Sequence, residues 1–245
     1  MTVPVWLAEH AGERGIARLI DYTLLRPDAT PADIDRLCEE GAAADVAAVC
    51  VNGAWVARFV ERLRATPVRV AAVVGFPLGA GAADAKAAEA AAAARDGAAE
   101  LDMVMPIGLA KVGSWQAVEA DVAAVVGAAP ATLVKVILET ALLTAEEIAG
   151  ACRASQSGGA GFVKTSTGFH AAGGATVEAV RAMRAAVGPR FGVKASGGIR
   201  TAESALAMLA AGANRIGASS LGGLGPIVGE KAAALAELLE AGAPA

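Results

Sequence analysis

Residues 133–139 read Leu133-Val134-Lys135-Val136-Ile137-Leu138-Glu139, and shortly afterwards the chain continues Thr144-Ala145-Glu146-Glu147. The first stretch is short, apolar and rich in β-branched residues, which predicts a buried strand. The second has a threonine three residues before a glutamate, a capping box that predicts the start of a helix. Together the two stretches indicate one β-α unit.

The same unit recurs along the chain. Another helix start is predicted at Thr30-Pro31-Ala32-Asp33, where an N-cap threonine precedes a proline at the first helical position. Gly97 and Gly212 are typical of glycines that end helices. The eight predicted strands are Ile16–Tyr22, Val46–Asn52, Arg69–Gly75, Glu100–Met105, Leu133–Glu139, Gly161–Ser166, Gly192–Ser196 and Asn214–Ser219.

Eight β-α units without a linker or a break in composition favour a closed barrel over an open sheet. We therefore predict an α/β fold, a single (β/α)8 TIM barrel that forms one domain over residues 1–245. The alternative is a doubly wound parallel sheet. No Gly-x-Gly-x-x-Gly pattern follows the first predicted strand, which argues against that alternative.

Composition argues against several classes of protein. The formal net charge is −4, whereas nucleic acids and anionic membranes call for basic patches on a protein partner. Met1–Gly15 lacks the pattern of a signal peptide, and no apolar run reaches the roughly 18 residues of a membrane span, so we expect a cytoplasmic protein. Three cysteines and two histidines, without a CxxC pair, predict neither disulfides nor a metal site, and we expect no cofactor.

Charged side chains interrupt the apolar runs of four predicted strands. Lys135, Lys164 and Lys194 each lie within such a run, and Asp102 lies within a fourth. Buried lysines are rare because burying a lone charge is expensive, so these charges require an explanation. The other three lysines, predicted to be solvated surface charges, are Lys86, Lys111 and Lys231.

Alternation along a strand indicates where these charges point. Val134 and Val136 face one side of their strand, while Lys135 and Glu139 face the other. The same argument points the charges of the other strands into the barrel, near the C-terminal mouth where barrel enzymes have their active sites. The inward set would also include Asp21, Thr23, Cys50 and Asn52. A structural ion-pair network is the alternative, but three lysines facing one or two carboxylates leave excess positive charge, which stability explains poorly.

A lysine is a nucleophile only as a neutral amine, and at its ordinary pKa roughly one in 2,500 is neutral at pH 7. Burial and a neighbouring cation both lower the pKa of a lysine. Lys164 and Lys194 lie on consecutive predicted strands, so we expect one to be the reactive amine and the other to lower its pKa. Asp102, together with Lys135, would transfer protons.

Glycines and hydroxyls follow the last two predicted strands. Ser196-Gly197-Gly198 closes the seventh strand, with Arg200 nearby, and Gly217-Ala218-Ser219-Ser220 closes the eighth. Glycines at strand ends are usually plain turns, but after strands seven and eight of a barrel they commonly bind phosphate. The pattern therefore predicts a phosphorylated substrate.

Several of these segments resemble, in order, those of the deoxyribose-phosphate aldolase family. Lys164-Thr165-Ser166-Thr167-Gly168-Phe169 resembles the family's Schiff-base signature, and Val193–Arg200 resembles a second block. The resemblance extends over about residues 16–221. The other similar segments are Ile20–Thr30, Val74–Gly79, Glu100–Val104, Lys135–Thr140 and Gly217–Ser220.

This resemblance implies a class I aldolase that reversibly cleaves 2-deoxy-D-ribose 5-phosphate into acetaldehyde and D-glyceraldehyde 3-phosphate, without a metal, and as a homodimer. It implies that Lys164 forms the Schiff base and that Lys194 lowers its pKa. Asp102 would then handle protons, supported by Lys135. The residues expected to contact the substrate or its phosphate are Thr23, Cys50, Thr167, Gly168, Gly197, Gly198, Ser219 and Ser220.

The chain departs from the family pattern at several positions. Tyr22, Arg26 and Gly53 stand where many members have His, Lys and Pro, and we expect these positions to edge the site. The tail Leu238–Ala245 lacks the tyrosine that assists proton transfer in some members. Two alternatives remain, namely another lysine-dependent phosphosugar lyase, such as a larger-substrate aldolase or a transaldolase, and a non-catalytic barrel that binds a phosphosugar.

Overall fold

The computed structural model describes residues 15–230 together with Glu237. Eight parallel strands form a closed barrel, in which each strand pairs with the next and the last pairs with the first. The predicted (β/α)8 barrel is confirmed. The strands are β1 Ile20–Leu24, β2 Ala48–Val51, β3 Arg69–Val74, β4 Glu100–Val104, β5 Leu133–Ile137, β6 Phe162–Lys164, β7 Gly192–Ser196 and β8 Arg215–Ala218.

Helices follow the strands and cover the outside of the barrel. The predicted capping box of Thr144 with Glu147 is present, and the predicted N-cap Thr30 forms a second one with Asp33; each fixes the first turn of a helix. The α-helices are α1 Pro31–Ala43, α2 Val56–Leu63, α3 Ala83–Arg95, α4 Ile107–Lys111, α5 Trp115–Ala128, α6 Ala145–Ser157, α7 Val177–Val187, α8 Ala202–Ala211 and α9 Gly225–Val228. As predicted, Gly97 and Gly212 follow the ends of α3 and α8, with φ angles of 99° and 123°.

The predicted bounds of the first strand were wrong. The strand begins at Ile20 and ends at Leu24, while Ile16–Leu19 forms a turn of 3-10 helix. Ile16 and Leu19 are both buried, and their spacing of three residues suits a 3-10 turn better than the alternation of a strand.

Alternation divides the strand side chains between two environments. Outward residues such as Val134, Val136 and Met103 belong to the large apolar core between barrel and helices. Inside the barrel, β2 and β3 contribute a separate small cluster of apolar side chains, and the other strands contribute the charged ones. The buried members of this interior cluster are Leu25, Ala48, Cys50, Ala71 and Val73.

One of the three lysines predicted to be solvated is buried. Lys86 on α3 is only 1% exposed, and its Nζ donates to the carbonyl of Val104 and to Asp121 Oδ2 on α5, both at 2.9 Å. The prediction failed because the counter-charge comes from a helix distant in sequence. Lys111 does lie at the surface, paired with Glu147 at 2.7 Å. Lys231 and the tail Leu238–Ala245 lie outside the described residues.

None of the helices in residues 15–230 combines the length and the apolar character needed to cross a membrane. The three cysteines, Cys38, Cys50 and Cys152, are buried free thiols.

Candidate active site

A pocket of about 460 Å³ opens at the C-terminal mouth of the barrel. Its walls come from the ends of β1, β6, β7 and β8 and from the loops that follow them. Ser196, Ile199, Arg26 and Arg200 also contribute to the walls. The predicted site residues that line the pocket are Thr23, Lys164, Thr167, Gly168, Gly197, Gly198 and Ser219.

Lys164 lies at the end of β6, and its side chain is 3% exposed. Its Nζ donates to Asp102 Oδ2 at 2.8 Å. Lys164 is the Cα partner of Lys194 on β7 and of Ile137 on β5, so alternation points Lys164 and Lys194 to the same side. Lys164 therefore joins the pocket to the buried charges beneath it.

Asp102 is the common acceptor of three lysines. Its Oδ2 accepts from Lys164 and from Lys194 at 2.8 Å each, and its Oδ1 accepts from Lys135 at 2.6 Å. Burial alone would raise the pKa of this carboxyl. The three ammonium groups outweigh that effect and hold the pKa of Asp102 well below its ordinary value. Asp102 is consequently an anion held by three cations.

A second layer of charges lies deeper in the barrel. Lys194 also donates to Asp21, whose Oδ1 accepts from Arg215 at 2.7 Å. Lys135 pairs with Glu100 at 2.7 Å. Burial opposes ionisation of both carboxyls, but the neighbouring cations lower the pKa values of Asp21 and Glu100.

The acids act in turn on the lysines. Burial alone would lower the pKa values of Lys135 and Lys194, yet the carboxylates around them outweigh burial and raise both. Asp102 is the largest of these influences on each lysine. These two side chains are therefore held as permanent cations.

The sequence interpretation did not single out Glu100 or Arg215. Alternation could have found them, because Glu100 precedes Asp102 by two residues and Arg215 precedes Gly217 by two. In the described interior, three carboxylates (Asp21, Glu100, Asp102) meet four cationic side chains (Lys135, Lys164, Lys194, Arg215). Among these buried groups the excess of positive charge is one, within the range implied by three lysines facing one or two carboxylates. Arg69 reaches Glu100 from the exposed rim at 3.2 Å.

The ends of β6 and β7 are fastened to each other beside the pocket. Thr165 Oγ1 donates to the carbonyl of Ser196 at 3.1 Å and accepts from its amide at 3.0 Å. Gly197 follows with a φ of 87°, a conformation that favours glycine. On β8, a Cβ at Gly217 would lie 3.3 Å from Lys194 Cε and 2.9 Å from Ser196 Cβ, so the glycine leaves room for the lysine.

Two predicted contact residues lie beside the pocket rather than in its walls. Cys50 is fully buried below it, with Sγ 3.7 Å from Asp102 Oδ2. Burial and the adjacent Asp102 carboxylate raise the pKa of Cys50 to about 11, which keeps it a thiol at neutral pH. Ser220 is exposed, and its Oγ accepts from the amide of Gly222 at 3.3 Å.

The three family departures fall in different places. Arg26 lines the pocket, as expected, and pairs with Asp28 at 2.9 Å. Tyr22 points out of the barrel, where its hydroxyl donates to Glu40 on α1, so the expectation that it edges the site was wrong. Gly53 begins a short 3-10 turn and is not among the residues that line this pocket.

The sequence profile described as DeoC/LacD family aldolase matches residues 16–232 of this chain. The chain belongs to the DeoC/LacD aldolase family. As a member of that family it is a carbon–carbon lyase. The resemblance inferred from its strand motifs is confirmed.

Curated relatives and solved structures agree with this membership. The deoxyribose-phosphate aldolase of Brevibacillus brevis is 53% identical over 183 residues, which are 75% of this chain and 82% of that one. The deoxyribose-phosphate aldolase of a Geobacillus species is 52% identical over 189 residues, 77% and 84% of the two chains.

A solved structure from Coccidioides immitis is 42% identical, with a TM-score of 0.83, over 92% of this chain and 89% of that one. The deoxyribose phosphate aldolase from Aeropyrum pernix, described as having a unique tetrameric structure, is 34% identical with a TM-score of 0.78, over 83% and 86% of the two chains.

Proposed function

We propose that this aldolase reversibly cleaves 2-deoxy-D-ribose 5-phosphate to acetaldehyde and D-glyceraldehyde 3-phosphate through a Schiff base on Lys164. The observation that carries the proposal is that, of the three interior lysines, Lys164 alone lines the pocket. The names of the relatives support the choice of substrate.

Charge balance supports Lys164 as the nucleophile. Lys194 is held by two carboxylates and Lys135 by three, whereas Asp102 is the one carboxylate paired with Lys164 in the described residues. Loss of one proton from Lys164 would leave three cations facing three carboxylates. Its Nζ also shares one carboxylate oxygen with the ammonium group of Lys194, at 2.8 Å each.

In the proposed reaction, the neutral Lys164 amine attacks C1 of the open-chain aldehyde, and loss of water gives a protonated imine. A base takes the proton of the C3 hydroxyl, the C2–C3 bond breaks, and its electron pair moves toward the imine nitrogen. Glyceraldehyde 3-phosphate leaves, and an enamine of acetaldehyde remains on Lys164. Protonation at C2 and hydrolysis then release acetaldehyde and restore the amine.

Asp102 is the group proposed to move protons, because it is anionic and lies 2.8 Å from the Lys164 amine. Lys135 holds its other oxygen at 2.6 Å and so fixes the orientation of the carboxylate. Lys194 would keep a positive charge beside the reacting nitrogen. Cys50, packed against Asp102, would form part of the floor beneath the reacting carbons.

The phosphate is proposed to lie against the glycine-rich ends of β6, β7 and β8. Backbone N–H groups at such turns bind anions without needing a lysine. The residues proposed for this end are Thr167, Gly168, Gly197, Gly198, Ser219 and Ser220, with Thr23 on β1, the strand that pairs with β8.

Borohydride trapping tests the proposal. The protein is incubated with 2-deoxyribose 5-phosphate, reduced, digested and mapped by mass spectrometry. We expect an N-ethyl group on Lys164, absent in Lys164→Met and retained in the control Lys111→Met, whose amine lies at the surface. An adduct on Lys194 or Lys135 would contradict the assignment of Lys164 as the nucleophile. The absence of any adduct on folded protein would contradict the proposed Schiff-base mechanism.

The same assay separates the alternatives. Turnover of longer phosphosugars but not of 2-deoxyribose 5-phosphate would indicate another lysine-dependent aldolase. Binding without an adduct or turnover would indicate a phosphosugar-binding barrel.

A homodimer and a cytoplasmic location belong to the same proposal. Three free cysteines fit a reducing compartment. Size-exclusion chromatography with light scattering tests the dimer, and a tetramer, the state described for the Aeropyrum pernix relative, would overturn it.

A further inference from the structure

Glu139 lies just beyond the end of β5 in an unusual conformation. Its φ and ψ angles are 55° and 59°, in the left-handed region that a non-glycine residue seldom adopts. The residue is 2% exposed. It is flanked by two backbone hydrogen bonds to β6 and its loop, from Leu138 to the Lys164 carbonyl and from Thr140 to the Thr165 carbonyl, both at 2.9 Å. The strained backbone therefore sits between two fixed points.

The carboxylate of Glu139 is directed at the loop after Lys164. It accepts from the amide of Thr167 at 3.3 Å and from the Thr167 hydroxyl. Thr167 Oγ1 in turn accepts from the amide of Phe169 at 3.0 Å. A chain of hydrogen bonds thus runs from Phe169 through Thr167 to Glu139 and fixes the turn that contains Gly168.

In the part of the chain that the structure describes, no cationic side chain pairs with Glu139. Burying a carboxylate without a counter-ion is costly, and a left-handed backbone adds to that cost. Such a combination is poorly explained by stability. It is better explained by the loop that Glu139 holds. Thr167, Gly168 and Phe169 line the pocket. Thr167 and Phe169 also line a second cavity, together with Glu139 itself.

We propose that Glu139 is a positioning residue for the phosphate end of the site, acting through Thr167 on the loop Thr167–Phe169. This inference rests on the proposed function, because it requires that this loop receives the phosphate. Glu139 itself does not line the catalytic pocket, so its effect on the substrate is transmitted through the loop.

The test compares Glu139→Gln with the control Glu146→Gln, an exposed glutamate in the first turn of α6. We expect Glu139→Gln to raise KM for 2-deoxyribose 5-phosphate about tenfold, the loss of one hydrogen bond to a charged group, and to leave kcat nearly unchanged. Cleavage of unphosphorylated 2-deoxyribose should change less than about twofold. An equal loss with both substrates, or no loss, would overturn the inference.

Two further variants separate positioning from a merely structural role. Glu139→Gly removes the carboxylate and relieves the left-handed backbone, so it should show the same rise in KM, with thermal unfolding confirming that the variant is folded at the assay temperature. Thr167→Val removes the other partner of the hydrogen bond. Thr167→Val also removes a hydroxyl proposed to meet the phosphate, so Glu139→Gln combined with Thr167→Val should be no worse than Thr167→Val alone. Additive losses would contradict the inference.

Hydrogen exchange provides a readout that does not depend on turnover. The peptide containing residues 165–170 should exchange faster in Glu139→Gln than in the wild type, and unchanged exchange would overturn the inference. If the wild-type protein cleaves no deoxyribose phosphate, the proposed function fails, while the exchange result still decides whether Glu139 holds the loop.

Discussion

Lys164 and Lys194 are Cα partners on the neighbouring strands β6 and β7, and their side chains donate to the same oxygen of Asp102 at 2.8 Å each. The two amines differ in their surroundings. Lys194 is fully buried and also reaches Asp21, whereas Lys164 lines the pocket. A shared acceptor with unequal further contacts gives the two lysines different surroundings although their strand positions are equivalent, which is the basis of the different roles proposed for them.

Replacing Lys194 with Met should therefore impair chemistry rather than substrate binding. We expect kcat to fall about 100-fold or more, because a buried charge beside the reacting nitrogen is lost. The yield of borohydride trapping on Lys164 at pH 7 should fall in parallel, while the control Lys111→Met retains both the wild-type kcat and the wild-type trapping yield. Trapping at the wild-type yield would show that Lys194 does not promote imine formation. Thermal unfolding of each variant establishes that the assays are made on folded protein.

Stability should depend on pH mainly on the acid side. Although burial opposes ionisation, the interior cations hold the pKa values of Asp21, Glu100 and Asp102 below their ordinary values of 3.8, 4.5 and 3.8. Each carboxylate therefore stabilises the fold above its ordinary pKa, and this contribution is lost as pH falls below that value. Urea unfolding at about pH 7, 5 and 3 should show little loss between the first two and a steep loss by the third.

The variant Glu100→Gln should reduce that acid-side slope, because one of the three titrating groups is gone. An unfolding free energy that stays constant down to about pH 3 would contradict the assignment of these carboxylates as ionised.

Removing the buried ion pair outside the barrel should affect stability far more than catalysis. Lys86→Met leaves Asp121 buried without its cation, which we expect to cost about 3–5 kcal/mol of unfolding free energy. Adding Asp121→Leu to Lys86→Met should recover much of that loss, since no charge then remains unpaired. Urea unfolding measures both effects. A full loss that persists in the double variant would show that the lysine contributes packing rather than charge pairing.

The outward position of Tyr22 predicts a simple result. Tyr22→Phe removes the hydrogen bond to Glu40 and should lower stability by about 1 kcal/mol, with kcat and KM unchanged. Arg26→Lys serves as the contrast, because it alters a residue of the pocket wall and can therefore change kcat or KM directly. A change in KM for Tyr22→Phe would mean that α1 and the pocket are coupled.

The barrel and the inward set of lysines were predictable because both follow from periodicity. Apolar strand segments alternate along the sequence with capped helices. A charged residue within such a segment alternates with apolar residues that pack against the helices, so its side chain points into the barrel. Asp102, Lys135, Lys164 and Lys194 were found in this way. Glu100 and Arg215 lie within the predicted strands Glu100–Met105 and Asn214–Ser219 and obey the same alternation, but each is the first residue of its strand, away from the C-terminal mouth on which the sequence interpretation concentrated.

Other features depend on contacts between distant segments. The burial of Lys86 requires Asp121, which lies 35 residues away. The outward direction of Tyr22, by contrast, follows from alternation with Asp21 and Thr23, which the sequence interpretation had already pointed inward, so placing Tyr22 at the edge of the site was an oversight. The left-handed conformation of Glu139 has no signal in the residue type, since Asn, Asp and glycine are the residues that usually adopt it. Its contact with Thr167 arises only when β5 and β6 are paired.

In the interior of the barrel, the small apolar side chains and the buried charged side chains come from different strands. The small side chains Ala48, Cys50, Ala71 and Val73 come from β2 and β3, whereas the ionised groups come from the other strands. A family built on this plan has two independent sets of positions for natural variation. We expect substitutions in the apolar cluster on β2 and β3 to reshape the space beneath the pocket while the buried ion pairs stay intact, so that new aldehyde preferences arise without rebuilding the chemistry.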